Sequence, residues 1–221
     1  PEQTAGRGRR QRVWVAPPGN LASSILEVTD VQPAVAATLG FAAGLSLDAA
    51  LRKVGIEAAL RLGPDSPKFT LKWPNDVLLN GGKVAGILLE SAGSGGQVTA
   101  VAVGIGVNLA AVPDTGTIEP GAITPVSVPG ETGFRTAPED FLDLLAPAFA
   151  RWLAQLETWG FPPIRNAWLA RAARLGEPIV ARTGRAQAQG IFEGIDDSGA
   201  LILKTPAGRQ VLPAADVFFE G

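Results

Sequence analysis

The 221-residue sequence contains no cysteine, histidine, methionine or tyrosine. Without cysteine there is no disulfide and no thiol nucleophile, and without cysteine or histidine no thiolate or imidazole zinc site. No imidazole is present to serve as a general base. Any catalysis therefore rests on Lys, Arg, Asp, Glu, Ser, Thr, backbone amides and a hard cation. A dominant charge is lacking too. The formal net charge is −2, so no global field draws the chain to nucleic acid or to a membrane surface. No apolar run reads as long enough to span a bilayer and no secretory leader is visible, which predicts a soluble, cytoplasmic protein. The chain opens on Pro1 without an initiator Met, as a fragment or processed product does.

What is present is unevenly placed. The 46% hydrophobic content suits one large domain with a small appendage. Arg7, Arg9, Arg10 and Arg12 stand against Glu2 alone in the first dozen residues. Gly6-Arg7-Gly8-Arg9-Arg10-Gln11-Arg12 has the composition of a mobile anion-binding loop: glycines free the backbone, and guanidinium forks fit phosphate and carboxylate oxygens. Val13-Trp14-Val15 reads as a strand, with Trp14 either a flat face for a base or a core residue.

The centre of the chain is Lys72-Trp73-Pro74-Asn75-Asp76 followed by Lys83-Val84-Ala85-Gly86-Ile87-Leu88. Phe69 to Trp73 predicts a strand stopped by Pro74. Val77–Leu79 and Val84–Leu89 predict the arms of a tight hairpin around Asn80-Gly81-Gly82. That arrangement places Lys72, Asn75, Asp76 and Lys83 around one opening, with Gly86 admitting a ligand close to the backbone. An ordinary hairpin with solvated lysines fits the same residues.

Elsewhere the pattern predicts a strand over 21–28 and a helix from Pro33 to Val54 stopped by Gly55. Residues 57–62 read as a strand, 63–67 as a loop, 91–96 as a polar turn, and 98–107 as an apolar strand ending in Gly104-Ile105-Gly106-Val107-Asn108. A long surface loop over 110–137 follows, then a capping box at Thr136–Glu139 opening a helix that Gly160 ends. A second helix is read over 163–174. From Leu175, short strands over 178–182, 188–195, 200–203 and 210–212 predict a small closed barrel.

Taken together, the segment Gln3 to Trp14, Lys72-Trp73-Pro74-Asn75-Asp76, Lys83 to Leu88 and Gly104 to Asn108 resemble, in order and spacing, the biotin protein ligases. The likeness spans nearly the whole chain. It implies an α+β fold: a mixed β-sheet flanked by helices in a class II synthetase-like catalytic domain over 1–174, plus a small SH3-like β-barrel over 175–221. It also implies that biotin and ATP form biotinoyl-5'-AMP, whose acyl group passes to a lysine of a biotin carboxyl carrier protein. The attacking groups of both steps then belong to substrates, and the protein has to hold two anions together and stabilise charge at the α-phosphate.

By the same resemblance, Lys83, Arg9 and Asp76 are the catalytic residues, with Lys83 bridging the biotin carboxyl oxygen and the α-phosphate. Gln3, Gly6, Arg7, Arg9, Lys83, Gly86 and Ile87 bind biotin, the last two through backbone groups. Arg10, Arg12, Trp14, Lys72, Asn75 and Asn108 bind ATP or AMP. Mg2+ is held mainly by nucleotide phosphates. Homodimerisation is implied, and neither membrane nor nucleic acid is expected as a partner. Gln11 stands where the family usually has glycine, and the family's Ser/Thr-Thr-Asn biotin-binding segment belongs upstream of Gln3. Two other readings use the same residues: a lipoate or octanoate ligase or transferase of the related fold, and a non-catalytic module binding biotinoyl-adenylate or nucleic acid.

Overall fold

A computed structural model describes residues 3–62, 66–112, 122–184 and 186–219. The expected turn over 63–67 therefore falls mostly outside the described residues, as does the middle of the 110–137 loop.

The first sheet is built from β1 (Leu21–Val31), β2 (Phe69–Lys72), β3 (Asp76–Leu79), β4 (Gly82–Ser94) and β5 (Gln97–Val107). Its order is β1-β5-β4-β3-β2, and every strand pairing is antiparallel. The expected mixed sheet is thus corrected. Hairpin-length connections join β2 to β5 in sequence, which suits antiparallel neighbours, and parallel geometry is confined to isolated bridges at Leu71–Ala172 and Lys83–Pro125. The β3–β4 hairpin turns as its sequence predicts, with φ of 50° at Asn80 and 87° at Gly81, the left-handed pair that a tight hairpin needs. Strand β4 runs on through residues read as a turn, and the chain reverses at Gly95-Gly96, both at positive φ.

Helices α1 (Pro33–Ala37) and α2 (Leu39–Leu62) replace the single predicted helix. Gly55 does not stop α2, and the predicted strand over 57–62 is the helix's last turns. The physical reason is proximity: a Cβ on Gly55 would stand 2.8 Å from the Phe69 ring, so glycine here admits β2 rather than ending the helix. Alanine and leucine dominate α2, and Ala42, Ala43, Leu45, Leu47, Ala50 and Leu51 are buried. An all-round apolar helix is a core helix: α2 packs against the sheet on one side and against α4 (Pro138–Trp159) and α5 (Phe161–Leu169) on the other. The 23-residue stretch Pro33–Gly55, mean hydropathy 1.6, is long and apolar enough to cross a membrane by composition, contrary to the sequence expectation, and 72% of its most apolar window is buried in the protein.

Two helix starts differ from expectation. Ser127 caps α3 (Val128–Thr132), a helix inside the predicted loop, by accepting from the Gly130 amide. Ala137 begins α4 without a side-chain cap, so the predicted capping box does not form, and Pro138 supplies the start.

The second sheet comprises β6 (Pro178–Arg182), β7 (Gln187–Ile195), β8 (Leu201–Thr205), β9 (Gly208–Leu212) and β10 (Asp216–Phe218), in the order β10-β6-β7-β8-β9. All pairings are antiparallel. Among the described residues β9 does not return to β10, so the ladder is open where a closed barrel was expected. The two parts meet closely. The Trp73 indole N–H donates to the Gly199 carbonyl at 2.9 Å, and Gly199 sits against the Phe41 ring, where a Cβ would approach to 2.6 Å.

Candidate active site

Sheet register organises the site. Directly opposed residues share a face, and one row across all five strands reads Lys72, Asp76, Gly86, Gly106, Ala22. A second row on that face holds Leu88, Gly104 and Ser24. Two charges at one end and a floor of residues without bulk at the other make a hollow with a polar wall. The intervening rows, with Ile87, Ile105 and Val103, point the other way into the helix-covered core.

Trp14 lies across that floor. A Cβ on Gly106 would come within 2.3 Å of the indole, and one on Gly86 within 3.2 Å. The indole N–H is buried without a partner in the structure. Around the indole opens a cavity of about 900 Å³, lined by residues of both sheets and of the arginine loop.

Lys83 reaches this cavity because β4 is bulged. Val77 pairs Ala85 but Leu78 pairs Lys83, leaving Val84 extra, and a bulge re-aims the side chains beside it. The Lys83 backbone turns to residues 124–126 instead, donating to the Thr124 carbonyl and accepting from the Val126 amide, each at 2.9 Å. Lys83 Nζ lies 2.6 Å from Asp76 Oδ1, an ion-pair contact without hydrogen-bond alignment, and 5.7 Å from the Trp14 ring centre. Lys72 Nζ lies 3.6 Å from Asp76 Oδ2. Burial pushes the Asp76 carboxyl up, but Lys83 and Lys72 together outweigh it and hold the group below its ordinary value. Burial lowers the Lys72 ammonium, with Asp76 opposing the shift. One carboxylate thus serves two ammonium groups and leaves the cavity wall net positive.

Of the residues singled out from sequence, Gln3, Arg7, Arg9, Arg12, Trp14, Lys72, Asn75, Asp76, Lys83, Gly86, Ile87 and Asn108 all line this one cavity. Gly6 and Arg10 do not. Gly6 is buried against the Trp14 carbonyl, which a Cβ would meet at 2.2 Å, and Arg10 turns toward the second sheet. Ile87 is already engaged at its backbone: its amide donates to Asn75 O at 2.9 Å and its carbonyl accepts from Asn75 Nδ2 at 2.7 Å. Asn108 is likewise committed, donating to the Val126 carbonyl and accepting from Asn20. The arginine loop folds as a short turn, with Trp14 N donating to Gly6 O at 3.0 Å. Gln11 holds φ of 61°, the left-handed region that favours glycine. Burial lowers Arg9 from its ordinary value, and Asp216 is the main group opposing that. Among the described residues no group of three or more Asp or Glu is placed to hold a metal ion.

Sequence reasoning missed Asp216, Val217 and Phe218, which close the cavity from β10. No local signal marks them, since they lie some two hundred residues from the loop they face.

Residues 1–108 match the biotin/lipoate A/B protein ligase family, and residues 175–220 match the biotin protein ligase C-terminal domain. The chain is 66% identical over 220 residues to a biotin–[acetyl-CoA-carboxylase] ligase of Paracoccus denitrificans, covering all of this chain and 88% of that one. The chain belongs to the biotin protein ligase family. A biotin–[acetyl-CoA-carboxylase] ligase of Mycobacterium tuberculosis is 31% identical, over 97% of this chain and 75% of its own length. The Bacillus subtilis bifunctional ligase/repressor BirA is 34% identical, and this member of the biotin protein ligase family spans 63% of its length. Among solved structures, the Aquifex aeolicus biotin protein ligase with biotin and ATP aligns with a TM-score of 0.74 at 25% identity, over 98% of this chain and 84% of that one. A Leishmania major biotin protein ligase with biotinyl-5-AMP shares the fold, with a TM-score of 0.63 at 22% identity over 96% and 86%.

Proposed function

We propose that this cavity joins biotin to ATP as biotinoyl-5'-AMP and passes the acyl group to a lysine of a biotin carboxyl carrier protein. The observation that carries the reading is the convergence of Lys83 and Arg9 on one cavity around the Trp14 indole, which rests on a floor of glycines. Both reacting groups are anions, and bringing a carboxylate onto an α-phosphate needs fixed positive charge more than a protein nucleophile. Lys83 is the central group. Held by Asp76 in the free protein, it exchanges that carboxylate for the biotin carboxyl oxygen and the α-phosphate. Arg7, Arg9 and Arg12 bracket the same charge, and Trp14 stacks on the adenine. Asp76, relieved of Lys83, remains beside the reacting centre to orient the incoming lysine.

Asp76 is committed to lysines and Asp216 to arginines. Among the described residues no group of three or more carboxylates is placed to hold a metal ion, and Mg2+ enters the proposal only as the counter-ion that the nucleotide brings. The segment 175–221 is read as an SH3-like module docked on a catalytic unit over 1–174, supported by the C-terminal family match and its short strands. The proposed setting is the cytoplasm and the proposed assembly a homodimer. A formal charge of −2 gives no ground for a nucleic-acid partner.

Biotin-dependent exchange of labelled pyrophosphate into ATP tests the adenylation step. Exchange with biotin but not with lipoate or octanoate is expected. Exchange that octanoate supports as well as biotin would move the assignment to the lipoate branch, and no exchange with any acid would remove it.

A further inference from the structure

Asn20 and Asn108 face each other where the first sheet ends. Leu21 opposes Val107 in the antiparallel register, so Asn20 and Asn108 stand on the next rung, and their carboxamides close it: Asn20 Nδ2 donates to Asn108 Oδ1 at 3.3 Å. Their other hydrogen bonds go to backbone. Asn20 Oδ1 accepts from the Ala110 and Ala111 amides at 2.8 and 3.1 Å, and its Nδ2 also donates to the Ala111 carbonyl at 2.9 Å. Asn108 Nδ2 donates to the Val126 carbonyl at 2.9 Å. Gly19, at φ of 86°, lets the turn come this close, since a Cβ there would stand 2.8 Å from the Ala110 side chain. These partners leave each amide one orientation, because a backbone N–H only donates and a backbone carbonyl only accepts. Two N–H groups demand oxygen from one side of Asn20, which turns its nitrogen toward Asn108, and Asn108 has to answer with oxygen. The Val126 carbonyl demands nitrogen from the other side of Asn108, so both ends agree. Reversing either amide sets oxygen against oxygen or N–H against N–H, and each mismatch forfeits a hydrogen bond.

We propose that Asn20 is a positioning residue: it fixes the polarity of the Asn108 carboxamide, so that the cavity wall at Asn108 offers a ligand N–H rather than oxygen. Asn108 lines the cavity and is only 2% exposed, whereas Asn20 does not line it and acts through Asn108. A carboxamide nitrogen carries two N–H donors. Among the described residues Val126 takes one of those on Asn108, and the second serves an acceptor on the nucleotide, such as a purine ring nitrogen. With the amide reversed, the same acceptor would meet a lone pair. The polarity rests on the hydrogen bonds above, and only its effect on ATP rests on the proposed function.

Asn20→Asp separates the two things Asn20 does. Its carboxylate still accepts from the Ala110 and Ala111 amides but has no N–H for Asn108. In biotin-dependent pyrophosphate exchange, KM for ATP is expected to rise about tenfold, the scale of one hydrogen bond turned into a mismatch. The same variant should change kcat less than about threefold and leave KM for biotin as it was, because the effect falls on nucleotide binding rather than on chemistry. Hydrogen exchange at Ala110 and Ala111 should match the parent in Asn20→Asp and quicken in Asn20→Ala, which removes the anchor as well. Magnetic resonance of ligand-free full-length protein, isotope-labelled at asparagine, reads the polarity itself, since the chain has five asparagines to assign. In the parent the Asn108 carboxamide protons should show contacts to Val126, and in Asn20→Asp they should turn toward the carboxylate at position 20. A parent-like KM for ATP in Asn20→Asp would overturn the proposal. So would parent Asn108 carboxamide protons that contact Asn20 instead of Val126, and this reading decides alone should Ala110 and Ala111 lose their protection in Asn20→Asp. The expected contacts in a protein that performs no biotin-dependent pyrophosphate exchange would uphold the role of Asn20 and remove the function.

Discussion

At residue scale the site turns on how few carboxylates face how many cations. Asp76 lies between Lys72 and Lys83, and each ammonium needs it while the cavity is without an anion. Lys83→Ala leaves Asp76 paired with Lys72 and takes away the charge that the proposed function sets at the reacting centre. Pyrophosphate exchange is expected to fall by roughly 10²–10³, the scale of losing one preorganised transition-state contact, with little change in melting temperature. Asp76→Asn should do the opposite, destabilising the fold because two partly buried ammonium groups lose their partner. A pH dependence follows from the direction of the Asp76 shift. The group ionises more readily in the folded state, so its stabilisation is complete above the ordinary carboxylate value of about 4 and is lost as pH falls through the lower folded value. Urea titrations of the parent and of Asp76→Asn should therefore show a constant difference in stability above about pH 4 that shrinks as the pH falls further.

At the scale of elements, legibility followed the range of the signal. Asn80-Gly81 announces its hairpin locally, and the structure has the φ values that pair predicts. Gly86 and Gly106 read in sequence as points of close approach for a ligand, and what approaches both in the structure is the Trp14 indole. Gly55 misled because glycine in sequence says only that a side chain is unwelcome. Whether a turn or a neighbouring ring excludes it is decided by β2, packed across from it. Neither the bulge at Val84 nor the bracing of Lys83 by residues 124–126 was read from sequence. Both depend on which strand meets which, and no spacing encodes that. The glycine floor yields its own prediction. Gly106→Ala places a methyl 2.3 Å from the Trp14 indole, below any contact distance, so the indole must leave the floor. ATP affinity by calorimetric titration should weaken about tenfold or more, as losing one stacking partner implies. Gly86→Ala, at 3.2 Å from the ring, should weaken it less. Equal effects of the two substitutions would show that Trp14 is not the element being displaced.

At the scale of the whole molecule, the contacts between the C-terminal sheet and the rest of the protein include two that share no residues. One is polar and over the cavity, where the arginine loop meets β10. The other is buried, where Trp73 donates to Gly199 and Gly199 rests on Phe41, which meets the Phe161 ring at a tilt and the Trp168 ring edge-on, at 5.2 and 5.4 Å between ring centres. The second contact couples the hairpin that carries Asp76 and Lys83 to the turn between β7 and β8, so the C-terminal sheet and Lys83 are positioned by one piece of packing. Trp73→Phe keeps the ring and removes the donor, leaving the Gly199 carbonyl buried without its partner, a cost of about 1–3 kcal/mol. If that contact docks the C-terminal sheet, urea unfolding monitored by far-UV dichroism and by hydrogen exchange in β7 and β8 should coincide in the parent and separate in Trp73→Phe, with β7 and β8 opening first. Pyrophosphate exchange should decline in step with that opening, because β10 carries Asp216 away from the loop when its sheet detaches. Coincident transitions in the variant would mean that the apolar contact of Gly199 with Phe41 suffices for docking, and Gly199→Val, which adds bulk where a Cβ already lies 2.6 Å from that ring, would then be the substitution that separates the sheets.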